Sequence, residues 1–130
     1  MTTVFTNGCF DILHRGHVEL LRFCKTIGDI VIVGLNSDDS TRRLKGSSRP
    51  VNTQEDRALL LESIKYVDHV IIFNEDTPYE LIKNVKPDII VKGGDHNASE
   101  VVGNDLCEVV IYDYIEGYST TGTIQDISDR

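Results

Sequence analysis

The sequence predicts a single α/β domain built on one doubly wound parallel sheet of about five strands with flanking helices. Three observations lead there. Short β-branched runs alternate with helical patterns from end to end. The second run, Ile30-Val31-Ile32-Val33, is apolar without interruption, as in a parallel strand buried on both faces. The polar clusters fall where strands end, the edge at which open α/β sheets bind ligands.

Residues 2–6 read as the first strand, and Gly16 to Ile27 as a helix with Val18, Leu20, Leu21, Cys24 and Ile27 on one face, closed by Gly28. Asp29 to Leu35 is the second strand. Asn36 to Val51 carries charges, serines and a proline with little periodicity, which predicts a long functional loop that is mobile without ligand and orders over bound nucleotide. Asn52-Thr53-Gln54-Glu55 is a capping box, and Ala58, Leu61, Ile64 and Tyr66-Val67 extend its helix to Val67. His69 to Phe73 is the third strand. Thr77-Pro78-Tyr79-Glu80 supplies a cap, a first-turn proline and a reciprocal glutamate for a helix ended by Pro87. Asp88 to Val91 and Glu108 to Tyr112 are the last strands, and Ser119 to Ile127 a terminal helix.

Composition narrows the function. At 130 residues the chain has the length of one domain. A net charge of −8 argues against nucleic acid as a partner. The cations are nevertheless clustered: Arg42, Arg43, Lys45, Arg49 and Arg57 hold five of the 13 Lys and Arg residues, a local patch suited to a triphosphate. The 3 cysteines, Cys9, Cys24 and Cys107, form no Cys-x-x-Cys pair, and no apolar run is long enough to span a membrane. A cytoplasmic protein with reduced thiols and no membrane partner is expected.

The most informative segment is Gly8-Cys9-Phe10-Asp11-Ile12-Leu13-His14-Arg15-Gly16-His17, between the first strand and the first helix. A helix start offers unpaired N–H groups and positive potential, and the glycines admit close approach of a phosphate. Histidines at that start add donors that are neutral or cationic near neutral pH. Cys9 reads as a small residue packed under the site.

This signature resembles that of the cytidylyltransferase-like nucleotidyltransferases, the His-x-Gly-His superfamily. Thr6-Asn7-Gly8, Val33 to Asp38, Leu44 to Asn52, Glu75 to Pro78, Val91 to Asp95 and Gly117 to Thr121 look like the nucleotidyltransferase domain of ADP-heptose synthases. Glycerol-3-phosphate cytidylyltransferases are also similar, but carry an arginine where this chain has Tyr114.

The resemblance implies a Rossmann-like nucleotidyltransferase fold over residues 1–130. It also implies transfer of a nucleotidyl group from a triphosphate, ATP foremost, to a sugar 1-phosphate, D-glycero-D-manno-heptose 1-phosphate foremost, with release of pyrophosphate. Its alternatives are a CTP-dependent enzyme acting on glycerol phosphate or another phospho-alcohol, and a nucleotide-binding module without turnover. Bifunctional heptose enzymes join a sugar kinase to this domain, and a first strand starting at Met1 leads to the expectation that the kinase is a separate chain.

By the same resemblance His14, His17 and Lys45 are catalytic. Asn7, Gly8, Cys9, Phe10, Asp11, Gly16, Lys92, Gly94, Asp95, Ser119, Thr120 and Thr121 bind nucleotide, and Asn36, Asp38, Arg49 and Arg57 meet the acceptor. Asp11 would hold Mg²⁺ brought with the triphosphate. Arg57, a cation in the first turns of a helix, is unfavourable to the helix dipole, which points to a ligand or a partner carboxylate. Leu59-Leu60-Leu61 cannot all face one core. A homodimer with Leu59 or Leu60 at the contact is expected; the rival is that the sheet and a neighbouring helix bury all three.

Overall fold

The computed structural model describes residues 1–94, 96–112 and 124. Five strands, β1 (Thr3–Gly8), β2 (Ile30–Asn36), β3 (His69–Phe73), β4 (Ile89–Gly93) and β5 (Glu108–Tyr112), form one sheet in the order β3-β2-β1-β4-β5, every neighbouring pair parallel. The helices are α1 (Arg15–Ile27), α2 (Asp38–Lys45), α3 (Gln54–Glu62) and α4 (Tyr79–Val85), with a 3₁₀ turn at Ala98–Glu100.

Alternate side chains divide the core. On one face Val4, Val31, Val33 and Leu35 pack with Leu21 and Cys24 of α1 and Leu61 of α3. On the other, Phe5 and Ile90 pack with Ile82 of α4 and Val101. The amino-terminal edge is tied by aspartates lying just before strands: Asp29 accepts from Thr2 N, Asp88 from Thr3 N and Asp68 from Val31 N, each at 2.8 Å. These acids serve the ladder, so the chemistry is left to the opposite edge.

That edge is opened by register. β1 pairs with β2 over six residues, from Thr3↔Ile30 to Gly8↔Leu35, but with β4 over only Val4↔Ile89 and Phe5↔Ile90. Beyond Phe5 the two strands part. The strand order reverses at the same place, so the crevice of a doubly wound sheet lies between the carboxyl ends of β1 and β4.

Several boundaries differ from expectation. The expected loop from Asn36 to Val51 contains α2. Its buried residues are Ser40 and Thr41, so no apolar stripe marked it, and it is held by a Ser37 cap on Ser40 N with acids in its first turn and bases in its last. Helix α3 is capped by Thr53, which accepts from Asp56 N, rather than by the Asn52/Glu55 box, and ends at Glu62, not Val67. Helix α4 begins a residue late, with Pro78 at the cap position, leaving Thr77 too far upstream to cap it. The expected terminal helix lies outside the described residues except for residue 124.

Candidate active site

The chain leaves β1 at Gly8 and turns sharply into α1. Phe10 and Ile12 both adopt left-handed backbone, with φ of 46° and 53°, a conformation costly for a β-branched residue. Phe10 is buried, and its ring lies 5.2 Å from that of His17. A Cβ at Gly8 would stand 3.2 Å from the Phe10 ring, so the glycine leaves room for the tilted contact of that ring with His17.

His14 is the N-cap of α1. Its Nδ1 accepts from Gly16 N at 3.0 Å, while His17 Nδ1 accepts from His14 N at 3.2 Å, a reciprocal box made of two imidazoles. An Nδ1 that accepts puts the ring proton on Nε2, so both rings are neutral tautomers whose donor is Nε2–H. The rings stack with centroids 3.8 Å apart. Burial lowers the pKa of His14; burial, then the charges of His14 and Lys45, bring His17 down to about 3. Both are therefore neutral at physiological pH, which resolves the alternatives left open by the sequence.

In the free protein the His17 ring resonances are expected not to titrate between pH 8 and pH 5; a midpoint near 6.5 by NMR would contradict this geometry. Its folded pKa lies below the unfolded value, so its stabilising contribution is complete above about pH 6.5. It is lost as pH falls toward 3, at roughly 1.4 kcal/mol per pH unit.

Lys45, the exposed last residue of α2, lies close enough for its charge to act on His17. At the crevice, the Lys92 ammonium donates to Asn7 O at 3.2 Å and Asn7 Oδ1 at 3.3 Å, and burial lowers its pKa to about 8. His14, His17, Gly16, Asn7, Gly8, Phe10 and Lys92 are thus gathered around the carboxyl ends of β1 and β4. Gly94 follows β4 and is exposed. Asp95, Ser119, Thr120 and Thr121 lie outside the described residues.

Three residues expected at the ligands make framework contacts in this structure. The Asp11 carboxylate is buried and accepts from Val51 N at 2.6 Å and Asn52 N at 2.9 Å, with Arg49 Nε at 3.5 Å. The Arg57 side chain is 0% exposed and donates to the carbonyls of Cys9, Asn36 and Asn52 and to Asp38 Oδ1 at 2.9 Å. A carboxylate does meet this cation, as its place near a helix start implied, but it belongs to the protein. Asn36 is buried and donates to Ser40 Oγ at 3.0 Å. Sequence reasoning missed this function of Asp11 and Arg57: together they tie the signature turn to residues 49–52 and to the start of α2. Among the described residues no group of three or more His, Cys, Asp or Glu side chains is placed to hold a metal.

A family model described as cytidylyltransferase-like matches residues 5–121. The chain is 62% identical over 123 residues to the bifunctional protein HldE of a Nitratiruptor species, covering 94% of this chain and 27% of that protein. It is 58% identical over 125 residues to the bifunctional protein HldE of Wolinella succinogenes, covering 95% and 26%. The chain therefore spans about a quarter of the length of the curated relatives it matches. Among solved structures, a lipopolysaccharide core biosynthesis protein from Thermoplasma volcanium superposes with a TM-score of 0.74 at 31% identity, covering 92% of this chain and 99% of that one.

Proposed function

Since the chain belongs to the cytidylyltransferase-like family of nucleotidyltransferases, we propose that it transfers the adenylyl group of ATP to D-glycero-D-manno-heptose 1-phosphate and releases pyrophosphate. The observation that carries the reaction type is the stacked pair of neutral histidines at the start of α1, beside the β1/β4 crevice and within reach of the Lys45 charge. ATP and the heptose rest on the likeness of Leu44 to Asn52 and Val91 to Asp95 to ADP-heptose synthases.

An oxygen of the acceptor phosphate attacks the α-phosphorus, and the bond from that phosphorus to the bridging oxygen of the β-phosphate breaks. The attacking oxygen is already ionised, so no general base is needed. Charge grows on the non-bridging oxygens and the leaving group, and preorganised donors and cations lower that barrier. The Nε2–H groups of His14 and His17 and the first turn of α1 supply donors, and Lys45 supplies positive charge. Neutral rings keep one donor each at Nε2–H, and the positive charge is left to Lys45.

Asp11 as placed does not fit the expected role of metal ligand, because its carboxylate is buried, accepts from Val51 N and Asn52 N and lies beside the Arg49 guanidinium. Mg²⁺ enters the proposal as part of the metal–triphosphate substrate. Pyrophosphate release, measured with each of the four nucleoside triphosphates against heptose 1-phosphate and glycerol 3-phosphate, tests the reading. Consumption of CTP alone would move it to the cytidylyltransferase alternative.

Lys45→Ala is expected to lower kcat/KM for ATP about tenfold with the melting temperature unchanged, because the side chain is exposed and leaves the core intact. Unaltered steady-state kinetics would reduce Lys45 to a solvated cation. We also propose a homodimer. Leu61 is buried, but Leu59 and Leu60 are 64% and 45% exposed, so the sheet does not bury all three. Leu60→Glu is expected to shift a dimer to a monomer in sedimentation at micromolar concentration. A monomer before substitution would dispose of the dimer.

A further inference from the structure

A second concavity shares the carboxyl edge of the sheet with the histidine pair. It is an open cleft of about 490 Å³ between the starts of α2 and α3 and the end of β3, lined by Asp39, Arg42, Gln54, Glu55, Asn74 and the floor residue Ile72. Two features separate it from the nucleotide crevice. It lies on the β2/β3 side, whereas the crevice lies between β1 and β4. Its charge also has the wrong sign for a triphosphate, since its lining holds Asp38, Asp39 and Glu55 against a single Arg42, with Arg42 paired to Asp39 and Asp38 to the buried Arg57.

The chemistry of the lining suits a neutral polyhydroxyl body. Carboxylates accept from hydroxyls, the amide oxygens of Gln54 and Asn74 are held by Asp38 N and Ser37 Oγ so that their NH₂ groups are oriented to donate, and Ile72, 40% exposed, gives an apolar surface for the C–H face of a sugar. Distance agrees with this. Helix α2 begins with Asp38 at the cleft and ends with Lys45, whose charge acts on His17. At 1.5 Å per residue the helix spans about 10 Å, on the order of the reach from a sugar 1-phosphate group to the far end of a seven-carbon chain.

We propose that this cleft binds the sugar body of the acceptor, with α2 laid along the substrate so that the phosphate reaches Lys45 and His17 while the terminal hydroxyls meet Glu55, Asp39 and Asn74. The inference rests on the sugar-phosphate reading above and adds the residues that select the acceptor. The sugar side then lies across the histidine pair from the triphosphate, as an in-line displacement requires. Of the four residues expected at the acceptor, Asp38 alone borders the cleft.

The test is steady-state kinetics of the full chain with ATP and heptose 1-phosphate for Glu55→Ala, Asp39→Ala and Ile72→Trp. Each alters an exposed side chain, and thermal melting checks that the fold is kept. The expected result is a KM for heptose 1-phosphate raised about tenfold or more, with the KM for ATP within twofold and kcat little changed, the signature of lost uniform binding. Unchanged acceptor KM in all three variants, in a protein that turns over heptose 1-phosphate normally, would overturn the cleft and leave the function standing. Absence of turnover by the unsubstituted protein with any sugar 1-phosphate would overturn both.

Discussion

His17→Ala lowers kcat by about 10²–10³ while the KM for ATP changes only a few-fold, the expected result if its donor strengthens as charge builds at the α-phosphorus. The variant leaves His14 N without its Nδ1 acceptor, but that group lies at a helix start, and the structural cost is about 1 kcal/mol. Loss of rate therefore exceeds loss of fold. His14→Ala behaves similarly, and the double variant is less than additive because the rings stack and hold one another's backbone partners. Single-turnover measurements at saturating ATP are the check. A defect confined to KM in both variants would assign the pair to substrate placement alone.

Arg57→Ala has the largest expected effect on stability, about 3–5 kcal/mol. It leaves the carbonyls of Cys9, Asn36 and Asn52 and the Asp38 carboxylate without their shared donor in a site where the guanidinium is fully buried. Lysine does not rescue it, since an ammonium cannot reproduce a fork that serves four acceptors in separate directions. Urea denaturation at pH 7 gives the number. A loss below about 1 kcal/mol would mean that water replaces the guanidinium and that the clamp is not structural.

These two residues show what the sequence made legible. The five strands and the histidine pair were readable because continuous β-branched runs and a glycine-flanked signature are local patterns. Helix α2 was not, because its buried face is Ser40 and Thr41 and its stability comes from a cap and from charges ordered along the helix. Asp11 reads as a ligand contact because it lies within the signature, and Arg57 because a cation in the first turns of a helix suggests a ligand or a partner carboxylate. Only the tertiary approach of residues 49–52 and Asp38 turns them inward. The left-handed Phe10 and Ile12 carry no local mark at all, since neither is a residue that favours that conformation.

The early parting of β1 and β4 bears on how proteins of this architecture diverge. Past Phe5 and Ile90 the facing main chains no longer pair with each other, and Lys92 already spans the gap to the Asn7 carbonyl. Any ligand seated there meets amides and carbonyls that every residue type carries. Point substitution leaves such main-chain groups in place, so a change in what this gap accepts has to come from the side chains at its rim or from a shift of the strands themselves.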